Sequence, residues 1–137
     1  MPEPDVPKWV FDSWALLAFL EDEPAAEKVE NLIARANEAQ GRLFISAINL
    51  GEIWYSLARS RSEKAADQAV VEISNLGIKG VDPGWPLIRL AASFKARFRL
   101  AYADCFAAAL SKVHQCPVVT GDPEFKQLEQ KVQVFWV

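Results

Sequence analysis

The chain has 137 residues, the length of one ordinary domain, and with 51% hydrophobic and 24% charged residues it is built to fold rather than to stay disordered. Fifteen Lys and Arg against eighteen Asp and Glu leave a net charge of −3, which argues against a protein that coats DNA through bulk positive charge but not against an enzyme whose acids are neutralised by metal. The start, Met-Pro-Glu-Pro-Asp-Val-Pro-Lys, is acidic and proline-rich where a secretory leader is basic and apolar, and the apolar run at 14–20 is too short to span a bilayer, so a soluble, cytoplasmic protein with no membrane partner is expected.

Lys8–Phe11 reads as a first strand ending at Asp12, and Ser13 opens a helix with Leu16, Leu17 and Leu20 at helical spacing. Residues 21–24 break it, and 25–37 form a second helix with Val29, Leu32, Ile33 and Ala36 on one face, closed by Gly41. Arg42–Ser46 is a second strand. The helix after it carries an apolar stripe at Leu50, Ile53, Trp54, Leu57 and Ala58, with Asn49, Glu52, Ser56 and Arg59 on the other face. Another helix runs from Ser62-Glu63 through Leu76 with Gly77 as its stop, and Ile78–Val81 is a short third strand before Asp82-Pro83-Gly84. Leu87, Leu90, Ala91, Phe94 and Phe98 trace one more helix.

The stretch 101–125, AYADCFAAALSKVHQCPVVTGDPEF, then holds an apolar helix with Asp104 in its first turn, a turn at 115–117, a β run Val118–Thr120, and Asp122. A short helix at 125–129 and a last β run at 132–137 complete the chain. Strands alternating with helices, without hairpin dipeptides, argue for a single α/β domain over 1–137 with a mainly parallel sheet. Two cysteines, Cys105 and Cys116, read as free buried thiols. His114 sits near a helix C-terminus, where meeting the helix dipole explains it better than catalysis.

Four acids stand where chemistry is built: Asp12 and Asp122 as strands pass into helices, Asp104 in a first turn, and Glu52 on a polar helix face. Each has a plain structural explanation as a helix cap, a dipole partner or a solvated side chain. Together they carry more, because adjacent parallel strands one and four would deliver Asp12 and Asp122 to one sheet edge, where ligand crevices form. Carboxylates so gathered must hold protons or cations. Oxygen donors without clustered Cys or His select a hard ion, Mg²⁺ or Mn²⁺.

The segments FDSWALLAFLEDEPAA, NLGEIWYSLAR, AYADCFAAAL and VVTGDPEF resemble the signature blocks of PIN-domain ribonucleases, most closely the small VapC-like toxins of toxin–antitoxin pairs. Four blocks in order cover essentially the whole chain. The resemblance implies a five-stranded parallel sheet in the order 3-2-1-4-5 with helices on both faces, and a Mg²⁺/Mn²⁺-dependent endoribonuclease leaving 5′-phosphate and 3′-hydroxyl ends. It assigns the metal-binding and catalytic acids to Asp12, Glu52, Asp104 and Asp122. Thr120 falls on a supporting hydroxyl position, and Asn49 and Ser13 are candidates for orienting a ligand or water. Asp104 or Glu52 would orient or deprotonate that water, and the sequence does not choose between them. Ala101 departs from relatives, which often carry Ser or Thr three residues before the third acid. The implied partners are RNA, a cognate antitoxin and a second copy of the chain in a homodimer.

Arg59 and Arg61, and separately Lys95, Arg97 and Arg99, flank the helices leading to Glu52 and Asp104 and are candidate phosphate contacts; a solvated helix face is the competing explanation. Trp14, Trp54, Tyr55, Phe94 and Phe98 are core by periodicity, a dimer interface or an antitoxin groove being the alternative for some. The rival function is a catalytically silent module of the same fold that binds RNA or a protein. An aspartyl-phosphate phosphatase would want an acid where Trp14 stands, a receiver would want paired acids near strand one and a lysine ending strand five, and neither GxxxxGK[ST] nor GxGxxG occurs.

Overall fold

Val10-Phe11, Leu43-Phe44-Ile45 and Val118-Val119 lack polar alternation, so strands made from them need cover on both faces. The computed structural model, which describes residues 6–137, supplies it. The strands are β1 (Lys8–Phe11), β2 (Arg42–Ser46), β3 (Ile78–Val81), β4 (Val118–Thr120) and β5 (Val134–Trp136). They form one sheet in the order β3-β2-β1-β4-β5, with every neighbouring pair parallel. The expected architecture is therefore the observed one.

Parallel neighbours need crossover connections. α1 (Ser13–Leu20) and α2 (Ala26–Glu38) join β1 to β2, α3 (Ala47–Ser60) and α4 (Glu63–Asn75) join β2 to β3, and α5 (Trp85–Arg97) and α6 (Tyr102–His114) join β3 to β4. A 3₁₀ helix, Pro123–Leu128, joins β4 to β5. Side chains alternate along each strand, so Val10, Phe44 and Val118 enter a core shared with α5 and α6. Phe11, Leu43, Ile45 and Val119 enter the opposite core, beneath α1 to α4. Cys105 and Cys116 are free and buried, as expected.

Several boundaries differ from the sequence reading for local reasons. The left-handed residue after α2 is Gln40 (φ 53°), while Gly41 is required by close approach, since a Cβ there would lie 2.3 Å from the Pro7 carbonyl oxygen. Gly77 does take the left-handed conformation expected of a helix stop (φ 85°). The last strand is shorter than 132–137, because Val132 is still tied into the preceding turn by its N–H to Leu128 O (2.9 Å). The short helix begins at Pro123 rather than at 125, since Asp122 caps it. His114 lies in the last turn of α6, as expected. Its ring stacks on Phe44 (centroids 4.0 Å, planes 12°), and burial, then Lys8, Lys79 and Arg42, hold its pKa below the ordinary value.

The register fixes the geometry that matters for function. Phe11 pairs with Val119 across β1 and β4, so Asp12 and Thr120 leave the sheet side by side at its C-terminal edge. Ser46, ending β2, caps α3 through Ile48 N (3.2 Å) and starts the Glu52 helix from the same edge.

Candidate metal centre

Asp12 is fully buried and both its oxygens are engaged. Oδ1 accepts the Ala15 N–H at 2.8 Å, which caps α1, and Oδ2 accepts the Thr120 hydroxyl. Thr120 Oγ1 in turn accepts the Asp122 N–H at 3.0 Å, so one buried hydroxyl couples the two strand-end acids. Asp122 Oδ1 accepts the Glu124 N–H at 2.9 Å and caps the 3₁₀ helix. The capping role that explains Asp12 and Asp122 structurally is thus real, and it coexists with their gathering at one edge.

Between them lies Gly121, where a Cβ would fall 2.2 Å from the Trp14 ring. The Thr-Gly-Asp turn therefore needs glycine so that Trp14 can lie against the backbone. Trp14 itself is 39% exposed and lines an open groove of about 570 Å³ with Leu17, Ala18, Pro24, Ala25 and Val137. Of the aromatics read as core, Phe94 is buried and Trp54 and Phe98 partly so, whereas Trp14 and Tyr55 are exposed.

Glu52 is held by α1 and by its own helix: Ser13 Oγ donates to Oε1 at 2.5 Å, and Asn49 Nδ2 at 3.4 Å. Asn49 is fully buried rather than on a solvent face. Its Nδ2 also reaches Ser13 Oγ (3.1 Å) and Ala103 O (3.2 Å), joining α1, α3 and the first turn of α6. Turning the amide over would aim its oxygen at a carboxylate and a carbonyl, so the nitrogen belongs on this side. Its Oδ1 is a buried acceptor without a partner among the described residues.

Asp104 is buried in the first turn of α6. One oxygen each of Asp104, Asp122 and Glu124 lie within 4.8 Å of one another. Burial pushes the Asp104 carboxyl up to about 7, aided by the charges of Asp122, Glu52 and Glu124. Burial pushes Asp12 up to about 8 against the lowering hydrogen bonds from Thr120 and Ala15, with Asp104 and Asp122 repelling it further. The edge thus holds an inner pair of hydrogen-bonded acids and an outer trio facing one another.

Glu124 was not singled out from sequence. A signal was present: in Asp-Pro-Glu, a capping Asp accepting the N–H two residues on folds the second acid back towards the first. Arg59 lies over the exposed Tyr55 ring (5.0 Å), Arg61 caps α3, and Arg97 ends α5. Lys95 Nζ donates to Leu100 O at 2.6 Å, and the Arg99 backbone is bound by Gln127.

Comparison with known proteins agrees with this architecture. No curated protein sequence is detectably similar. The fold is shared with the Mycobacterium tuberculosis toxin VapC20, described as cleaving the sarcin–ricin loop (TM-score 0.69, 17% identity, 87% of this chain and 93% of that one). It is shared with DNA-bound VapBC from Salmonella typhimurium (0.69, 17%, 96% and 98%) and with FitAcB from Neisseria gonorrhoeae (0.64, 21%, 93% and 96%). The family called PIN domain matches residues 9–131, nearly the whole length, and with a five-stranded sheet delivering acids to one edge the chain belongs to that family.

Proposed function

We propose that this protein is a VapC-like toxin, a Mg²⁺- or Mn²⁺-dependent endoribonuclease that hydrolyses RNA to 5′-phosphate and 3′-hydroxyl ends. The observation that carries the reading is the outer trio of Asp104, Asp122 and Glu124, whose buried member Asp104 and buried neighbour Asp12 both have pKa values far above 3.8. Such a cluster is unfavourable for the chain alone and favourable around a cation. The donors fit a hard divalent ion: they are all carboxylate oxygens, with no thiol or imidazole among them.

Asp104, Asp122 and Glu124 would hold the ion, with Asp12 behind them, close enough for the charges of Asp104 and Asp122 to raise its pKa. A divalent ion bound there supplies a more acidic water and neutralises charge developing on the phosphate. The remaining work belongs to the chain. Thr120 fixes Asp12 and the Asp122 backbone together, which sets the spacing of the two strand ends. Ser13 and Asn49 hold Oε1 of Glu52 and fix the direction in which its carboxylate faces. Glu52 is thus the acid best placed to orient an attacking water, and Asp104 to hold the ion. Arg59, Arg61 and Arg97, exposed on flanking helices, are left free to meet RNA phosphates.

The structural relatives include toxin–antitoxin complexes, which supports a cognate antitoxin as the protein partner, and a homodimer is proposed as the working assembly. The groove walled by Trp14, Leu17 and Pro24 abuts the acid edge through the seat of Trp14 on Gly121, and suits an apolar antitoxin segment.

The deciding assay is cleavage of structured RNA with Mg²⁺ or Mn²⁺, with EDTA, and with Asp12→Asn and Asp104→Asn. Cutting that requires the metal and both acids is expected. Failure to cut any RNA together with failure to bind metal would leave a silent binding module in its place.

A further inference from the structure

Each of the four elements that carry a candidate acid is placed by its start, because Asp12, Asp104 and Asp122 lie at caps or in a first turn and Glu52 follows in the second turn of α3. Three are anchored by side-chain caps: Asp12 on α1, Ser46 on α3 and Asp122 on the 3₁₀ helix. The fourth, α6, begins at Ala101, which has the extended backbone of a cap (φ −58°, ψ 145°) but no side chain to accept a hydrogen bond. Of these four starts, the one that carries Asp104 is therefore the one without a side-chain cap of its own.

The lock is supplied from elsewhere. Gln127, on the 3₁₀ helix, donates from Nε2 to Arg99 O (3.0 Å) and accepts the Arg99 N–H on Oε1 (3.1 Å). The same Nε2 reaches Glu124 O at 3.2 Å. One carboxamide thus pairs with the backbone two residues before Ala101, as a neighbouring strand would, and holds the backbone of Glu124 at its other end. From the opposite side Lys95 Nζ pins Leu100 O at 2.6 Å. Gln127 is exposed, and fixing so flexible a side chain costs rotamer entropy, which three simultaneous bonds offset.

We propose that Gln127 is a positioning residue: it ties the segment leading into α6 to the 3₁₀ helix and so sets Asp104 against Asp122 and Glu124, in place of the cap that Ala101 cannot provide. The proposal rests on reading the trio as the metal centre. Ligand oxygens must be held within about 0.5 Å of their working positions, and a loop free to shift would not do so.

The test is a titration of the full chain with Mn²⁺ alone, read by the paramagnetic signal of the free ion, on wild type, Gln127→Met, Ala101→Ser and the double variant. Gln127→Met keeps the length and apolar stem while removing all three bonds. Its Mn²⁺ affinity is expected to fall about tenfold, with Tm in the absence of metal moving by no more than about 2 °C. Amide exchange at Arg99 and in the first turn of α6 should quicken. Ala101→Ser, which can cap the helix through the Asp104 N–H, should change wild type little and recover at least half of the lost affinity, on a logarithmic scale, in the Gln127→Met background. Undiminished Mn²⁺ affinity in Gln127→Met would overturn the proposal, as would a loss that follows a large drop in Tm and resists Ala101→Ser. The wild-type titration stands separately: if it shows no binding, the metal reading itself fails and the role assigned to Gln127 falls with it, whatever the exchange at Arg99.

Discussion

The inner and outer acids occupy the same sheet edge yet are held in opposite ways. Asp12 and Glu52 are surrounded by donors: a backbone N–H and the Thr120 hydroxyl for one, the Ser13 hydroxyl and the Asn49 amide for the other. Asp104, Asp122 and Glu124 instead face one another. A carboxylate encircled by neutral donors is oriented by the protein, whereas carboxylates facing each other are oriented for something that is not protein. On the proposed reading, the difference separates the framework of the site from its receptor.

The sharpest way to break this division is Asp104→Asn, which removes one charge from the trio and leaves the shape of the side chain. Cleavage should fall by about 100-fold or more, while the metal-free protein melts no lower than wild type because a buried repulsion has been relieved. A variant that cut RNA normally would return Asp104 to a structural role.

The next effect is thermal. Only the native state gathers the trio, so Mn²⁺ at a hundredfold excess over its Kd should raise Tm by about 5–10 °C. Asp104→Asn should lose most of that rise, and identical melting curves with and without the ion would remove the receptor from the account.

The pH dependence sharpens the comparison. Asp12 near 8 and Asp104 near 7 both stand above the ordinary aspartate value of 3.8. In that window the native chain keeps protons that the unfolded chain has released, so stability falls as pH rises. Without metal, the protein should resist urea better at about pH 5.5 than at about pH 8.5, and Asp12→Asn should flatten much of that slope. A profile rising over this window would show that Asp12 is ionised in the native state.

Smaller still is Gly121→Ala. The added methyl meets the Trp14 ring, and the overpacking should destabilise by about 1–3 kcal/mol in urea unfolding. Combining it with Trp14→Ala should recover most of the loss, and additive effects would mean that ring and turn are not coupled.

The fold was legible because the central β runs, Val10-Phe11, Leu43-Phe44-Ile45 and Val118-Val119, are apolar throughout and the helices keep clean stripes such as Ile53 and Leu57 on α3. Three of the four acids, Asp12, Asp104 and Asp122, were legible from capping or first-turn positions at element boundaries, and Glu52 from the polar face of α3. What escaped depends on tertiary closeness that no local pattern encodes. Asn49 is readable as a candidate for orienting a ligand or water, but its burial is not, because only the fold shows that α1 and α6 cover that side of α3. Glu124 reads as an exposed first-turn acid until the cap at Asp122 folds it inward. Lys95 reads as a phosphate contact, yet its ammonium is spent on a carbonyl five residues away.

The central claim is that the outer trio, not the inner pair, is the receptor for a divalent ion. The measurement that tests it most directly is Mn²⁺ binding to wild type and to Glu124→Gln, a residue that makes no part of the framework around Asp12 or Glu52. The account predicts that wild type binds and that Glu124→Gln binds about tenfold more weakly at unchanged Tm without metal. Equal affinity in the two proteins would contradict it and move the ion inward, to Asp12 and Glu52.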